Sequence, residues 1–231
     1  MVGRGFRKCF SPGGRSYTRT VSEAIVLLDG ASVRFGPIPV LDGVDLTVEP
    51  GQTVGIAGPN GSGKTTLLGV IATLVPLTGG TGRVFGAPLG SAAAVGVRGR
   101  IGLSGHDPAL YEHLTLAENL ALVARLAGLP QTEVERALDI VGLTAAGARR
   151  TDRCSHGMRR RVDLATIVMT DPDLVLLDEA HAGLDAAADA IIAALIRRAT
   201  GRGGAAVIVS HDVDRLADET DLVLTLDPGA G

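Results

Sequence analysis

The sequence predicts an α/β fold with a parallel sheet, an antiparallel β subdomain and an inserted helical subdomain. Short continuous apolar runs, typical of strands buried on both faces, alternate with helical segments in the first and last thirds of the chain. A Gly-rich motif stands between one of these strands and a helix. Helical periodicity at about 105–170 separates the two α/β parts. With 231 residues and 45% hydrophobic content, the chain is long enough to bury such a core.

The first predicted elements are strands, and the folded domain is expected to cover residues 23–231. Apolar stretches at 25–35 and 40–48 are joined by a Gly36-Pro37 turn. A Gly-rich turn at 79–82 then leads into a short strand at 83–85. These segments are expected to form the antiparallel subdomain.

A phosphate-binding loop follows the predicted strand 53–57 and precedes a predicted helix at 65–74. It matches the pattern G-x-x-x-x-G-K-[ST] at every fixed position. The residues of the motif, with the threonine that follows it, are Gly58, Pro59, Asn60, Gly61, Ser62, Gly63, Lys64, Thr65 and Thr66. A chance Gly-rich turn is the alternative, but the chain has only two lysines, Lys8 and Lys64. The strand, loop and helix together predict a P-loop NTPase (RecA-like) core that wraps phosphates with main-chain amides.

Three helices are predicted in the middle of the chain. Thr115 and Glu118 form a capping box at the start of the first helix, and Thr132 with Glu135 is expected to repeat it. The third helix is expected to begin near Gly157.

An acidic pair, Asp178-Glu179, ends the predicted buried strand 174–177. A carboxylate at the carboxyl end of a parallel strand can hold Mg²⁺ together with the hydroxyl of Thr65. Glu179 would then orient or deprotonate an attacking water. An acidic pair that merely caps a helix is the alternative, and the phosphate loop favours the metal interpretation.

His211 follows the next predicted strand, 205–209. An imidazole at this end of the strand can donate a hydrogen bond to charge that develops on a γ-phosphate. A lone histidine is more often structural, but its place one strand beyond Glu179 favours a functional role.

The order of these motifs resembles the ATP-binding cassette of ABC transporters over residues 26–227. The resemblance implies a Mg²⁺-dependent ATPase that works as a head-to-tail dimer with a second cassette. It assigns the signature to Ser155, His156, Gly157 and Met158, which would bind the γ-phosphate of the partner's nucleotide at a helix N-terminus. Gly183-Leu184-Asp185 matches the loop that crosses the dimer interface.

Two further positions follow from the same resemblance. Phe35 matches the aromatic residue that stacks on adenine, with a core phenylalanine as the alternative. His106 stands where the family usually has Gln, a residue that senses Mg²⁺ and the membrane subunit. An imidazole can also ligate a metal, but its protonation depends on pH.

The resemblance implies an integral membrane permease as partner, and its cargo is less defined. Residues 105–115 and the Ser-x-Gly-Met-Arg signature resemble the haem-exporter subunit of cytochrome c maturation. Cassettes of drug or other small-molecule exporters share several of these residues and are the alternative. A non-transport ABC ATPase of nucleic-acid or translation systems, and a nucleotide switch with low turnover, are alternatives of a different class.

Charge and hydropathy bear on partners and location. Residues 1–22 carry five basic residues and no acid, so they predict a disordered basic tail to which we assign no function. With a net charge of −3 for the whole chain, residues 23–231 carry −8, which disfavours nucleic acid as a partner. No apolar run approaches the length of a membrane span, and no signal peptide is recognisable, so we expect a cytoplasmic protein bound peripherally at the membrane.

Overall fold

The computed structural model describes residues 24–179 and 186–227. The predicted basic tail and the segment Gly183-Leu184-Asp185 lie outside the described residues. The strands are β1 (Val26–Phe35), β2 (Ile38–Val48), β3 (Thr53–Ala57), β4 (Gly79–Val84), β5 (Ala87–Pro88), β6 (Ile101–Ser104), β7 (Leu174–Asp178), β8 (Ala205–Val209) and β9 (Leu222–Thr225). The helices are α1 (Lys64–Ile71), α2 (Ala92–Gly96), α3 (Leu116–Leu126), α4 (Gln131–Ile140), α5 (His156–Thr170), α6 (Ala186–Gly201) and α7 (Val213–Glu219).

Four strands form the predicted antiparallel sheet in the order β2-β1-β4-β5. The β1–β2 hairpin pairs Val26 with Val48 and Phe35 with Ile38, so the turn falls at the predicted Gly36-Pro37. β4 begins at Gly79, earlier than expected. The glycines that were predicted to form a turn belong to this strand and pair with β1.

Five strands form the predicted parallel sheet in the order β6-β7-β8-β3-β9. β3 and β8 have the bounds that the apolar runs predict. The edge strand β6 was not predicted. Its four residues include Gly102 and Ser104, so the apolar run is too short to be recognised.

Both faces of the parallel sheet are covered, as continuous apolar strands require. In β7, Leu174 and Leu176 face the core shared with the antiparallel sheet and α1. Val175 and Leu177 face a second core, made with α5, α6 and α7. A third core joins α3, α4 and part of α5 in the predicted helical subdomain.

The helix ends test the predicted caps. Thr115 and Glu118 form the expected capping box, with reciprocal bonds of 3.1 and 2.8 Å. The second predicted box is wrong, because α4 begins at Gln131 with Pro130 at its N-cap and Thr132 is already inside the helix. α1 ends three residues before the expected Leu74, since Thr73 adopts φ 63° and a Schellman motif closes the helix.

Among the described residues, no helix combines the length and the apolar character needed to cross a bilayer.

Candidate functional site

The predicted site residues meet at one edge of the parallel sheet. The carboxyl ends of parallel strands share an edge, so the loops after β3, β6, β7 and β8 converge there. They surround a cavity of about 590 Å³. Its lining residues are Val40, Asn60, Gly61, Gly63, Lys64, Thr65, Thr66, His106, Asp178, Glu179 and His211.

Local geometry explains the sequence of the phosphate loop. Gly63 precedes α1 with φ 91°, and a Cβ there would lie 2.6 Å from Leu41 Cδ2 and 2.8 Å from the Val40 carbonyl oxygen. Only glycine fits this position. The Lys64 ammonium donates to the carbonyls of Gly58 and Pro59 at 2.8 and 2.9 Å, which holds it over the loop.

Ser62, in the same loop, is 2% exposed, and its hydroxyl has no hydrogen-bond partner among the described residues. A buried hydroxyl without a partner is costly. A ligand with hydrogen-bonding oxygens in this loop would give the hydroxyl a partner.

Thr65 and Asp178 are in direct contact. The Thr65 hydroxyl donates to Asp178 Oδ2 at 2.6 Å, and Asp178 is buried. These two oxygens suit a hard cation such as Mg²⁺. In the described part of the chain, no three His, Cys, Asp or Glu side chains cluster as a metal site, so a cation here would also need ligand phosphates or waters.

Glu179 and His211 form the second contact of the cavity. Glu179 Oε2 accepts from His211 Nδ1 at 2.8 Å, with the imidazole largely exposed and the carboxylate mostly buried. Glu179 has φ 50°, and its amide donates to the carbonyl of Val209 at 3.0 Å. This conformation is uncommon for a non-glycine residue and is often found at functional sites.

His106 lines the cavity two residues after the unpredicted strand β6. Near it, Ser104 donates to buried Asp163 of α5 at 2.5 Å. Burial raises the pKa of Asp163 to about 6, against the opposing effects of the Ser104 hydrogen bond and the Arg160 charge.

Arg160 is a site-supporting residue that sequence reasoning missed. It is 2% exposed and donates to the main-chain carbonyls of Gly105, just after β6, and Asp178, the last residue of β7. In the sequence it is the middle of three consecutive arginines, a pattern typical of an exposed helix face. Val40 was missed as a cavity residue for a similar reason, because an aliphatic strand residue carries no chemical signal.

Two predicted groups do not reach the cavity. Phe35 is 55% exposed at the end of β1, so the alternative of a core phenylalanine is wrong. The signature residues lie at the start of α5, where the Ser155 hydroxyl caps the helix by accepting from the amide of Met158 at 3.3 Å. His156 and Gly157 occupy the first turn and do not line the cavity.

The fold and the cavity define a P-loop nucleotide-binding domain with an antiparallel β subdomain and a helical subdomain. A family model for ABC transporter proteins matches residues 41–182. The chain therefore belongs to the ABC transporter family, which is the family that the order of motifs predicted.

Curated relatives agree with this family. The chain is 36% identical to the daunorubicin resistance ATP-binding protein DrrA3 of Streptomyces coeruleorubidus, over 88% of this chain and 66% of that protein. It is 36% identical to the daunorubicin/doxorubicin resistance ATP-binding protein DrrA of Streptomyces peucetius, over 82% of this chain and 58% of that protein. It is 33% identical to the Nod factor export ATP-binding protein I of Sinorhizobium fredii, over 92% of this chain and 64% of that protein. The chain thus spans between 58% and 66% of the length of these three relatives.

Solved structures agree with the fold. An ATP-binding subunit of an ABC transporter superposes with a TM-score of 0.80 and 26% identity, covering 89% of this chain and 87% of that one. The dimeric ATP-binding cassette MJ0796, in a post-hydrolysis state with ADP and Pi, superposes with a TM-score of 0.79. The match covers 88% of this chain and 95% of that one. At 24% identity, that likeness concerns the fold alone.

Proposed function

We propose that this chain is the ATP-hydrolysing subunit of an ABC exporter of drugs or other small molecules. The observation that carries the proposal is the Glu179–His211 contact of 2.8 Å beside the phosphate loop. A carboxylate and an imidazole at that point can act on a water and on a terminal phosphate. Residues 23–231 would form the ATP-binding domain, with the helical subdomain at about 105–170.

The phosphate loop would bind the triphosphate of ATP. Its main-chain amides and the N-terminus of α1 attract the anion. Lys64 would exchange its bonds to the Gly58 and Pro59 carbonyls for bonds to phosphate oxygens. The buried Ser62 hydroxyl supports this ligand, because a phosphate oxygen would give it the partner that the described residues lack.

Thr65 and Asp178 would hold Mg²⁺, with His106 as a further candidate ligand at the cavity wall. When bound, the cation neutralises charge on the phosphates. Thr65 supplies a hydroxyl and Asp178 a carboxylate, and the remaining positions suit phosphate oxygens and waters.

Glu179 would accept a proton from the water that attacks the γ-phosphate. A neutral imidazole has a single N–H, so His211 would release its contact with Glu179 and donate that N–H to the charge that develops on the transferred group. The same exchange would free the Glu179 carboxylate to accept the proton of the water.

The site would be completed by a second cassette. The signature residues at the start of α5 lie away from this chain's own cavity, which supports a role on the nucleotide of another subunit. The exposed ring of Phe35 is available to stack on adenine. An integral membrane permease would carry the cargo and hold the chain at the cytoplasmic face of the membrane.

The names of the relatives favour one cargo class over another. They concern daunorubicin resistance and Nod factor export, so a small-molecule exporter is better supported than a haem exporter. These names also favour transport over nucleic-acid or translation roles. Coexpression with its cognate membrane permease should raise resistance to an amphipathic drug, whereas a cytochrome c defect on deletion would favour the haem exporter.

Steady-state ATP hydrolysis tests the catalytic proposal. The wild type and Glu179→Gln should bind ATP with similar affinity, while the variant turns over at least about a hundredfold more slowly. Glu133→Gln, at an exposed ion pair on α4, is the matched control and should keep full activity. Equal rates for the wild type and Glu179→Gln, with the permease present, would favour a low-turnover nucleotide switch instead.

A further inference from the structure

One buried guanidinium joins two loops of the candidate site. Arg160 Nη1 donates to the carbonyl of Gly105, and Nη2 donates to the carbonyls of Asp178 at 2.7 Å and Glu179 at 3.4 Å. An arginine stays protonated, and burying its charge is costly unless every donor finds an acceptor. In the part of the chain that the structure describes, its nearest carboxylate is Asp163, 3.9 Å away, and its hydrogen bonds there are with main-chain oxygens.

The loop after β7 carries Glu179 in a strained conformation. Glu179 has φ 50°, a left-handed conformation that is unfavourable for a residue with a Cβ. Such a conformation persists only where its surroundings fix it. Here the amide of Glu179 donates to the Val209 carbonyl at 3.0 Å, and the carbonyl of the same peptide, that of Asp178, accepts from Arg160 at 2.7 Å. Together the two bonds set the direction in which the carboxylate leaves the chain.

The loop after β6 carries His106. Arg160 binds the carbonyl of Gly105, which belongs to the peptide that leads into His106. The same side chain therefore fixes the backbone on two sides of the cavity, at Glu179 and next to His106.

We propose that Arg160 is a positioning residue for ATP hydrolysis, which holds Glu179 and His106 in a fixed relation by binding the carbonyls of both loops. The inference rests on the proposed ATPase function. Arg160 does not line the cavity, so it acts through the backbone. The forked guanidinium reaches two loops at once, and a lysine at this position would present only a compact point charge.

The experiment compares Arg160→Lys with the wild type in ATP hydrolysis and ATP binding. We expect kcat to fall about ten- to a hundredfold, because small displacements of a catalytic group are that costly. KM and the Kd for ATP should change by less than about threefold, since the phosphate loop is untouched. Arg198→Lys is the matched control, since it removes a bidentate ion pair with Asp171 outside the cavity. It should lower the melting temperature without changing kcat.

The outcomes separate the two proposals. If the wild type does not hydrolyse ATP, the proposed function fails. If the wild type is active and Arg160→Lys has the same kcat, the positioning role fails. Should Arg160→Lys not fold, Arg160→Gln carries the test, because a neutral amide keeps two N–H donors without a buried charge. A folded Gln variant with lowered kcat supports the role, whereas loss of folding in both variants would overturn it in favour of a purely structural one.

Discussion

Thr65 and Asp178 are 113 positions apart in the sequence, yet their side-chain oxygens lie 2.6 Å from each other. α1 begins beside the loop after β3, and β7 ends at the same sheet edge, so the fold itself makes this contact. The contact places a hydroxyl and a carboxylate side by side at the cavity wall. The arrangement gives a direct test of the proposed metal role.

Asp178→Asn should raise the Mg²⁺ concentration needed for half-maximal ATP hydrolysis by about tenfold or more, because the amide has lost the negative charge that attracts the cation. The measurement is a Mg²⁺ titration of ATPase rate. Asp173→Asn is the control at the opposite end of β7, where it breaks only an exposed ion pair with Arg100. An unchanged Mg²⁺ requirement in Asp178→Asn would contradict the metal role.

Lys64→Ala should weaken ATP binding by about a hundredfold or more, the equivalent of roughly 3 kcal/mol for lost charge-assisted hydrogen bonds. Isothermal titration with a non-hydrolysed ATP analogue gives the affinity. Arg136→Ala removes the same charge from an exposed ion pair on α4 and should bind normally. If Lys64→Ala keeps its affinity, the loop does not bind phosphate through this ammonium.

His211→Ala should lower kcat by about 10²- to 10³-fold with little change in ATP affinity, since its hydrogen bond would form mainly as charge develops. His113→Ala is the matched control, because His113 is exposed, contacts Arg150 and does not line the cavity. Parallel losses of kcat in both variants would point to a general effect of histidine removal rather than to the Glu179 contact.

Much of the α/β core could be predicted from the sequence, because its strands are buried on both faces and must be continuously apolar. β3 and β8 illustrate this, with all five residues of each strand buried. β6 could not be predicted in the same way. Gly102 fits beside Pro172, where a Cβ would approach the proline ring to 2.6 Å, and Ser104 binds Asp163. Those partners are distant in sequence, so only the folded chain shows why the strand forms.

The candidate site likewise contains residues that the sequence predicts and residues that it does not. Lys64, Thr65 and Asp178 belong to patterns in which residue type and spacing indicate the chemistry, and the fold brings them together as expected. Arg160 belongs to no such pattern. Its function depends on which carbonyls its guanidinium meets, and that follows from tertiary packing alone.

The two predicted capping boxes can be compared in one experiment. Thr115→Ala should lower the free energy of unfolding by about 1 kcal/mol, because it removes the acceptor for the Glu118 amide. Thr132→Ala should change it by less than about 0.5 kcal/mol, because Thr132 lies inside α4 and alanine is a better helix former there. Urea denaturation measures both. Equal losses would mean that Thr132 does cap its helix in solution.

Asp163 should make stability depend on pH between about 4 and 6. Burial raises its pKa to about 6 in the folded protein, above the ordinary value of about 4. In this window the folded state keeps a proton that the unfolded chain loses, so the free energy of unfolding falls as pH rises. The stabilisation is complete below about pH 4 and is lost as pH rises through 6. A shift of about two units corresponds to about 3 kcal/mol.

Asp163→Asn carries no titrating proton, so its free energy of unfolding should lack this decline when urea denaturation is measured at pH 4, 5, 6 and 7. Asp171→Asn is the control. The hydrogen bond from Arg198 lowers the pKa of Asp171 to about 2; burial opposes it, and the hydrogen bond from Arg202 adds to it. The stability that Asp171 contributes is present above about pH 4 and is lost as pH falls through 2. Its variant should therefore keep the wild-type slope between pH 4 and 6. If Asp163→Asn also keeps that slope, the carboxyl of Asp163 is not the group that takes up the proton on folding.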